Sequence, residues 1–223
     1  MKILQKLIYE NISTRSTTNV SALVREALLR VKARQDEEVN IQVHPLGFIA
    51  LRWELNDEDA LRVHIWSRDM KTVQSPNWPI HDHTFSFRSL VLQGCVQNKV
   101  YRLKNCNKKS RLVKVYEVEY SGGSSILLGT QKFGEALQSS SELQPLGSYY
   151  DMDAGVFHRS ILRSDFAITV LATHKVSKAV RAQVLGNPSF RSPLLFNRTA
   201  ASENLVYSYV DKALFHLDEN NTA

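Results

Sequence analysis

Cysteine is scarce in this chain: Cys95 and Cys106 are the only two among 223 residues. Secreted frameworks carry several disulfide pairs, and thiolate metal sites use closely spaced cysteines. Two thiols eleven positions apart therefore read as reduced residues in a cytoplasmic protein. Long apolar runs are missing as well. No stretch approaches the roughly 18 residues that a membrane-spanning helix needs. The opening MKILQKLIYENISTR is broken by charges and has no small-residue cleavage site, so it does not read as a secretory signal. Internal repeats and low-complexity tracts are also absent.

The charge balance is basic, at +6 with a pI near 9.3. Such a balance suits nucleic acid, an anionic surface or an anionic small substrate. The Lys and Arg are spread along the chain, and the one cluster, RLKNCNKKSRLVK from Arg102 to Lys114, lacks the interleaved aromatics of a single-strand binder. It reads as a solvated hairpin tip. Neither a nucleic-acid nor a membrane partner is expected, and the oligomer is expected to be a monomer or homodimer.

At 25.4 kDa the chain has room for one domain with a sizeable core. Asn19, Val20 and Ser21 offer cap residues, and Leu23, Ala27, Leu28 and Val31 recur at helical spacing. From Ile41 onward the texture changes to short apolar or alternating runs between Gly, Pro, Asn, Asp and Ser. These are IQVHPLGFIALRWEL, ALRVHIWS, FSFRSLVLQG, CVQNKVYRL, LVKVYEVEY, SSILLG, SYYDMDAG and FAITVLATHKV. Many strands with little helix between them indicate an all-β sandwich or barrel. A loop follows from Leu185 to Arg198, then helical spacing returns at Leu205, Tyr209, Ala213 and Leu217, before a frayed tail DENNTA. The layout is a helical flank over 1–40, a β core over 41–180, and a loop with a C-terminal helix over 181–223, packed on the same domain.

Seven histidines are present, and His44, His64 and His216 read as structural. His81 and His83 differ because residues two apart in a strand project from one face, where two imidazoles can share an ion. Asp82 between them falls on the other face. Arg88 is off their parity and points away. Gly94 follows His83 by eleven residues, and Gly147, Gly155 and His158 stand in the pattern G-x5-D-x-G-x2-H.

These spacings resemble the two signature motifs of the cupin superfamily, over about Ile41 to Val176. The resemblance implies a double-stranded β-helix, or jelly-roll barrel, and a metal held by His81, His83 and His158. Phe87 stands where the family's Glu ligand would be, and Asp153 where its Pro would be. Without the Glu, three neutral ligands leave a divalent ion its full charge and open positions, which favours anionic ligands. Three histidines also serve zinc sites, so the ligand count does not choose between zinc and iron; Fe(II) is the expected metal, with Zn, Ni or Mn as alternatives.

The runs IHDHTFS, Leu92-Gln93-Gly94 and His158-Arg159 are also similar to the three-histidine thiol dioxygenases of the cysteine dioxygenase type. That resemblance implies a further catalytic histidine at His174, although Ala172 and Val176 replace the family's serine and tyrosine there, and Arg88 stands where its cross-linking cysteine would be. It also implies an arginine clamp for a substrate carboxylate. Arg52 and Arg62 compete for that role, since the arginine fork grips a carboxylate bidentately. Phe87 and Tyr149 are expected in the substrate wall, with Trp66, Trp78, Phe85 and Tyr150 as core or pocket lining. The resulting expectation is a non-haem Fe(II) oxygenase acting with O2 on a small anionic substrate, thiol or amino acid-like. The alternatives are a redox-silent metal isomerase, lyase or hydrolase, and a non-catalytic binder.

Overall fold

The computed structural model describes residues 2–16, 19–36, 38–70, 76–105, 108–121, 124–176, 181–197 and 202–219. Cys106 and the last four residues of the tail lie outside them. Two helices come first, α1 (Ile3–Thr14) and α2 (Val20–Lys32). The Asn19 side chain accepts the Ala22 N–H at 3.1 Å, the capping that the sequence implied. Among the described residues twelve strands follow: β1 (Asn40–His44), β2 (Phe48–Glu54), β3 (Asp59–Ser67), β4 (Phe85–Gln93), β5 (Cys95–Lys104), β6 (Val113–Ser121), β7 (Ser124–Pro145), β8 (Tyr149–Met152), β9 (His158–Leu162), β10 (Phe166–Lys175), β11 (Gln183–Gly186) and β12 (Leu194–Asn197). Helix α3 (Glu203–Glu219) closes the described chain.

The strands form two antiparallel sheets, β1-β2-β3-β10-β4-β8 and β11-β6-β7-β5-β9, with β12 on β7. His81 bridges His158 of β9 on one side and Val184 of β11 on the other. The short stretch around His81 thus acts as a strand between β3 and β4. Counted that way, β3, β10, β4 and β8 lie side by side in one sheet, and the His81 bridge, β9, β5 and β7 in the other. This is the strand order of a jelly roll, two Greek keys closed face to face.

Register assigns each side chain to a face. Leu51, Leu61, Val63, Ile65, Ile168 and Val170 point away from the barrel and are fully buried under the three helices. Each such side chain contributes about 1.5–3 kcal/mol by leaving water. Val24, Leu28, Val210 and Leu217 supply the helical half of this layer. Leu205, expected on the buried face of α3, is instead 38% exposed, and Val206 packs in its place. The other faces of β3 and β10 look into the barrel, so both strands are covered on both sides and β10 is buried for eight consecutive residues.

Polar ties anchor the helices to the sheet. Asp36 accepts from Gln5 of α1 and from the Trp53 indole, both at 2.8 Å. Asp59 accepts from the Tyr9 hydroxyl at 2.7 Å and lies 2.7 Å from His174 Nδ1. Two expectations are corrected here. The stretch expected as a loop over 185–198 begins within β11 and includes β12, strands paired to β6 and β7. The strand seen as SSILLG is the beginning of a 22-residue strand that turns from β6 to β5 along its length.

Gly94, Gly147 and Gly155 all have positive φ, at 72°, 80° and 77°. At Gly94 a Cβ would also meet the Phe166 carbonyl oxygen at 2.0 Å, whereas nothing lies within 4 Å of one at Gly155. Gly155→Ala is expected to cost about 1–2 kcal/mol, the backbone term alone. Gly94→Ala is expected to cost on the order of 3 kcal/mol or more, because backbone must move. Urea denaturation of the two variants checks the difference.

The Asp59 tie gives a pH dependence. Burial alone raises that carboxyl, but hydrogen bonds from Asn56, His174 and Tyr9 outweigh it and hold it below the ordinary range. Its contribution is therefore present above the unfolded carboxylate pKa of about 4 and is lost as pH falls through the lower folded value. Asp59→Asn should destabilise by about 1 kcal/mol at pH 7. The deficit should shrink below about pH 4, measured by denaturation across pH.

Candidate metal centre

The backbone builds the site before any side chain is considered. His81 N–H donates to the His158 carbonyl at 3.1 Å and His158 N–H returns the bond at 2.8 Å. On the other edge Asp82 N–H donates to the Gln183 carbonyl and Leu185 N–H to the Ile80 carbonyl, both at 2.9 Å. Gly155 N–H donates to the His83 carbonyl at 2.9 Å, so the turn before His158 is bonded to the residue carrying the second ring. His83 itself lies just past the bridge and ahead of β4. The two histidines do not share a regular strand, yet their rings still meet.

The three ring centroids are 4.8 Å apart for His81–His83, 4.8 Å for His81–His158 and 5.0 Å for His83–His158. One nitrogen from each ring lies within 4.8 Å of the others. Two nitrogens sharing an ion at about 2.1 Å stand no more than about 4.2 Å apart, so a small inward rotation lets the set close. His81 Nδ1 sits 3.0 Å from the Pro79 carbonyl and His158 Nδ1 2.9 Å from the Val156 carbonyl. Only a protonated Nδ1 can donate there, which assigns the lone pair to Nε2 in both rings. Burial pushes the His158 pKa down to about 3, with the positive field of His81 adding to it. Burial also lowers His81, and it lowers His83 further together with His81, His158, Arg62 and His44. The rings are neutral at pH 7, the form that ligates.

Phe87 is buried, with its ring 5.9 Å from that of His83 and 6.2 Å from that of His158. An apolar aromatic ring, and not a charged group, is thus the neighbour of the imidazoles on this side. Phe85 stacks on His83 at 4.5 Å, and the Arg62 guanidinium lies 4.3 Å over the Phe85 ring. Asp82 is buried but turned aside, its carboxylate accepting from the Gln183 N–H while burial raises its pKa to about 6.

Three expected residues are not brought to this centre. His174 has the parity of Val170 and Ala172, on the helix-covered side of β10, so its ring pairs with Asp59 and cannot reach the other histidines. Tyr149 also faces the helical layer, and its neighbour Tyr150 points inward, 6.0 Å from Phe87. Arg52 shares the inward face with Arg62, but its guanidinium is bonded to Glu54 at 2.6 Å and half exposed at the rim. Of the two arginines, Arg62 is the one near the rings. Conversely, His44 and His64, read as structural from the sequence, flank Phe48 inside the barrel at 4.1 and 4.7 Å. The alternation in ALRVHIWS places His64 on the face of Arg62 and Trp66, a signal that needs the inward face to be known.

No family model and no curated protein matches the sequence. Among solved structures the chain is similar to hydroxypropylphosphonic acid epoxidase from S. wedmorenis, at 11% identity and a TM-score of 0.37 over 62% of this chain and 56% of that one. It is also similar to an RmlC-like cupin from Shewanella frigidimarina NCIMB 400, at 12% and 0.35 over 64% and 88%. Hydroquinone 1,2-dioxygenase from Sphingomonas sp. TTNP3 is a third, at 10% and 0.33 over 55% and 62%. This chain covers little more than half of the epoxidase. At these scores the likenesses are too weak to bear on chemistry, and the jelly roll is established by the strand pairing itself.

Alanine at His81, His83 or His158 should each lower bound divalent metal from about one per chain by at least about tenfold, read by elemental analysis after reloading. His174→Ala should leave the metal content unchanged, because that ring serves the helical layer.

Proposed function

We propose that this protein is a metal-dependent oxygenase that holds Fe(II) with His81, His83 and His158 and acts with O2 on a small substrate bearing an anionic donor group. The observation that carries this reading is a set of three neutral imidazoles with the apolar ring of Phe87, not a carboxylate, as their neighbour on one side. A divalent ion held there supplies uncompensated positive charge and positions open to ligands, and iron adds the redox capacity that O2 chemistry requires. The residues around it do the rest. The backbone carbonyls of Pro79 and Val156 keep two rings in the ligating tautomer. Phe85 and Phe87 exclude water, which strengthens charge interactions in the cavity. Arg62, stacked on Phe85, adds positive field beside His83 and favours an anion over a neutral ligand.

The position of His174 narrows the substrate. A thiol dioxygenase of the cysteine type relies on a histidine relay at the metal, and here the corresponding ring is bonded to Asp59 on the far side of β10. A small acid or thiol handled without that relay fits better than free cysteine.

Protein purified without oxygen should contain about one iron per chain, and it should consume O2 with at least one member of a panel of small acids and thiols. Stoichiometric zinc with no O2 uptake across the panel would overturn the oxygenase and leave a redox-silent metal enzyme.

A further inference from the structure

Where β8 ends the first sheet and the far half of β7 runs along β5, a side cleft of about 230 Å³ opens between them. That is many times the roughly 10–15 Å³ that one water needs. None of the three clustered histidines lines it, and the Phe87 ring neighbours both sides, 6.0 Å from Tyr150 and 6.2 Å from His158. Alternate residues of β7 face the cleft: Ser140 opposite Val100, Glu142 opposite Asn98, and Gln144. Burial sorts the lining by depth. Asn98 and Gln144 are 5% and 8% exposed, whereas Glu142, Asp151 and Asp153 stand exposed at the mouth. Val100, Met152 and Val156 supply the apolar wall.

The floor holds polar groups with unused capacity. Ser160 Oγ donates to Asn98 Oδ1 at 2.7 Å from β9, which turns Asn98 Nδ2 away from β9 and toward the cleft. The Tyr150 hydroxyl is close enough for the Asn98 amide and the Ser89 hydroxyl to favour its charged form, but burial outweighs both and raises its pKa. Neither Asn98 Nδ2 nor Ser89 Oγ completes a hydrogen bond among the described residues. The mouth is unbalanced in charge. Arg15 and Arg88 hold Asp151, at 2.8 and 2.7 Å. Glu142 meets only Gln144 Nε2, at a long 3.4 Å, and neither it nor Asp153 forms an ion pair among the described residues. No lysine or arginine lines the cleft, in a chain whose net charge is +6.

We propose that this cleft is a second binding site, separate from the metal centre, for a short primary ammonium compound that carries an uncharged oxygen, an amino alcohol being the simplest example. An uncharged oxygen at the floor accepts from Asn98 Nδ2 and makes the bond that the protein leaves unmade. A carboxylate there would be buried below Glu142 and Asp153 with no cation to balance it, which is costly. The ammonium sits at the mouth between those two acids. In such partly wet surroundings the Coulomb gain is modest and screened, so the oxygen sets the specificity and the acids set the sign. Register sets the length. Residues directly opposite in an antiparallel pair have Cβ atoms about 4.5–5.5 Å apart, so a ligand reaching from Asn98 to Glu142 needs only about two or three bonds between oxygen and nitrogen.

Titration of the 15N-labelled full-length protein tests this, with ethanolamine as the probe and the Asn98 side-chain amide resonances as the readout. Ethanolamine should shift them saturably. Ethylamine, which lacks the oxygen, and glycolate, which replaces the ammonium by a carboxylate, should each bind at least about fivefold more weakly. EDTA treatment should leave the ethanolamine affinity unchanged to within about twofold, because no metal takes part. Asp153→Asn, at an exposed position, should weaken ethanolamine by about twofold or more. Asn98→Leu, read at the Met152 backbone amide, should bind ethanolamine no better than ethylamine. Shifts that never saturate, equal affinity for ethylamine or glycolate, or loss of binding with EDTA would each overturn the proposal. The comparison of the three probes on the unmodified chain decides it even if Asn98→Leu does not fold.

Discussion

The pair of backbone hydrogen bonds between His81 and His158, 3.1 and 2.8 Å long, joins two segments far apart in the chain into a minimal antiparallel ladder. On its other side the same stretch pairs with β11, so it closes the second sheet across what would be an open gap between β9 and β11. Everything chemical follows from that closure. It sets the His81 and His158 rings side by side, and the Gly155 N–H to the His83 carbonyl brings the third ring to the same place. Breaking the ladder would open the barrel and scatter the donors in one event. The site and the stability of this edge are therefore coupled.

The electrostatics of the centre have a single theme, which is the absence of compensating negative charge. The three rings are neutral because burial penalises their charged forms, Asp82 is engaged with the Gln183 N–H, and the apolar ring of Phe87 stands beside them. A divalent cation in such surroundings keeps its charge, and the enclosing aromatics lower the local dielectric and amplify it. Arg62 reinforces the same sign. A divalent ion bound by these rings would therefore depend on its ligand for balancing charge.

The sequence made the turns and the three clustered histidines legible, and it hid the faces. The spacings from His83 to Gly94 and from Gly147 to His158 could be read because each glycine answers a local backbone demand. Gly94 has φ of 72° against the Phe166 carbonyl, and Gly155 turns the chain so that its N–H meets His83. Side-chain direction in β10 could not be read in the same way. With both faces covered, the strand is uniformly buried as far as Thr173 and carries no alternation that tells which way His174 points. Tyr149 and Tyr150 are adjacent and chemically alike, and only the pairing of Tyr150 with Ser89 tells which one enters the barrel. The far half of β7 escaped for another reason. Leu137 and Leu143 are 39% and 61% exposed there, so the strand is held by its ladder to β5 and has little hydrophobic pattern to read. The short strands β11 and β12 likewise exist through pairing to distant partners.

The central claim is that three imidazoles share one metal ion inside the barrel, and anomalous diffraction tests it most directly. Crystals grown without oxygen, with data collected on both sides of the iron absorption edge, should show one anomalous peak at about 2.0–2.3 Å from a nitrogen of each of His81, His83 and His158. Iron-supplied crystals with no peak among those three rings, or with the peak at a different set of residues, would contradict it.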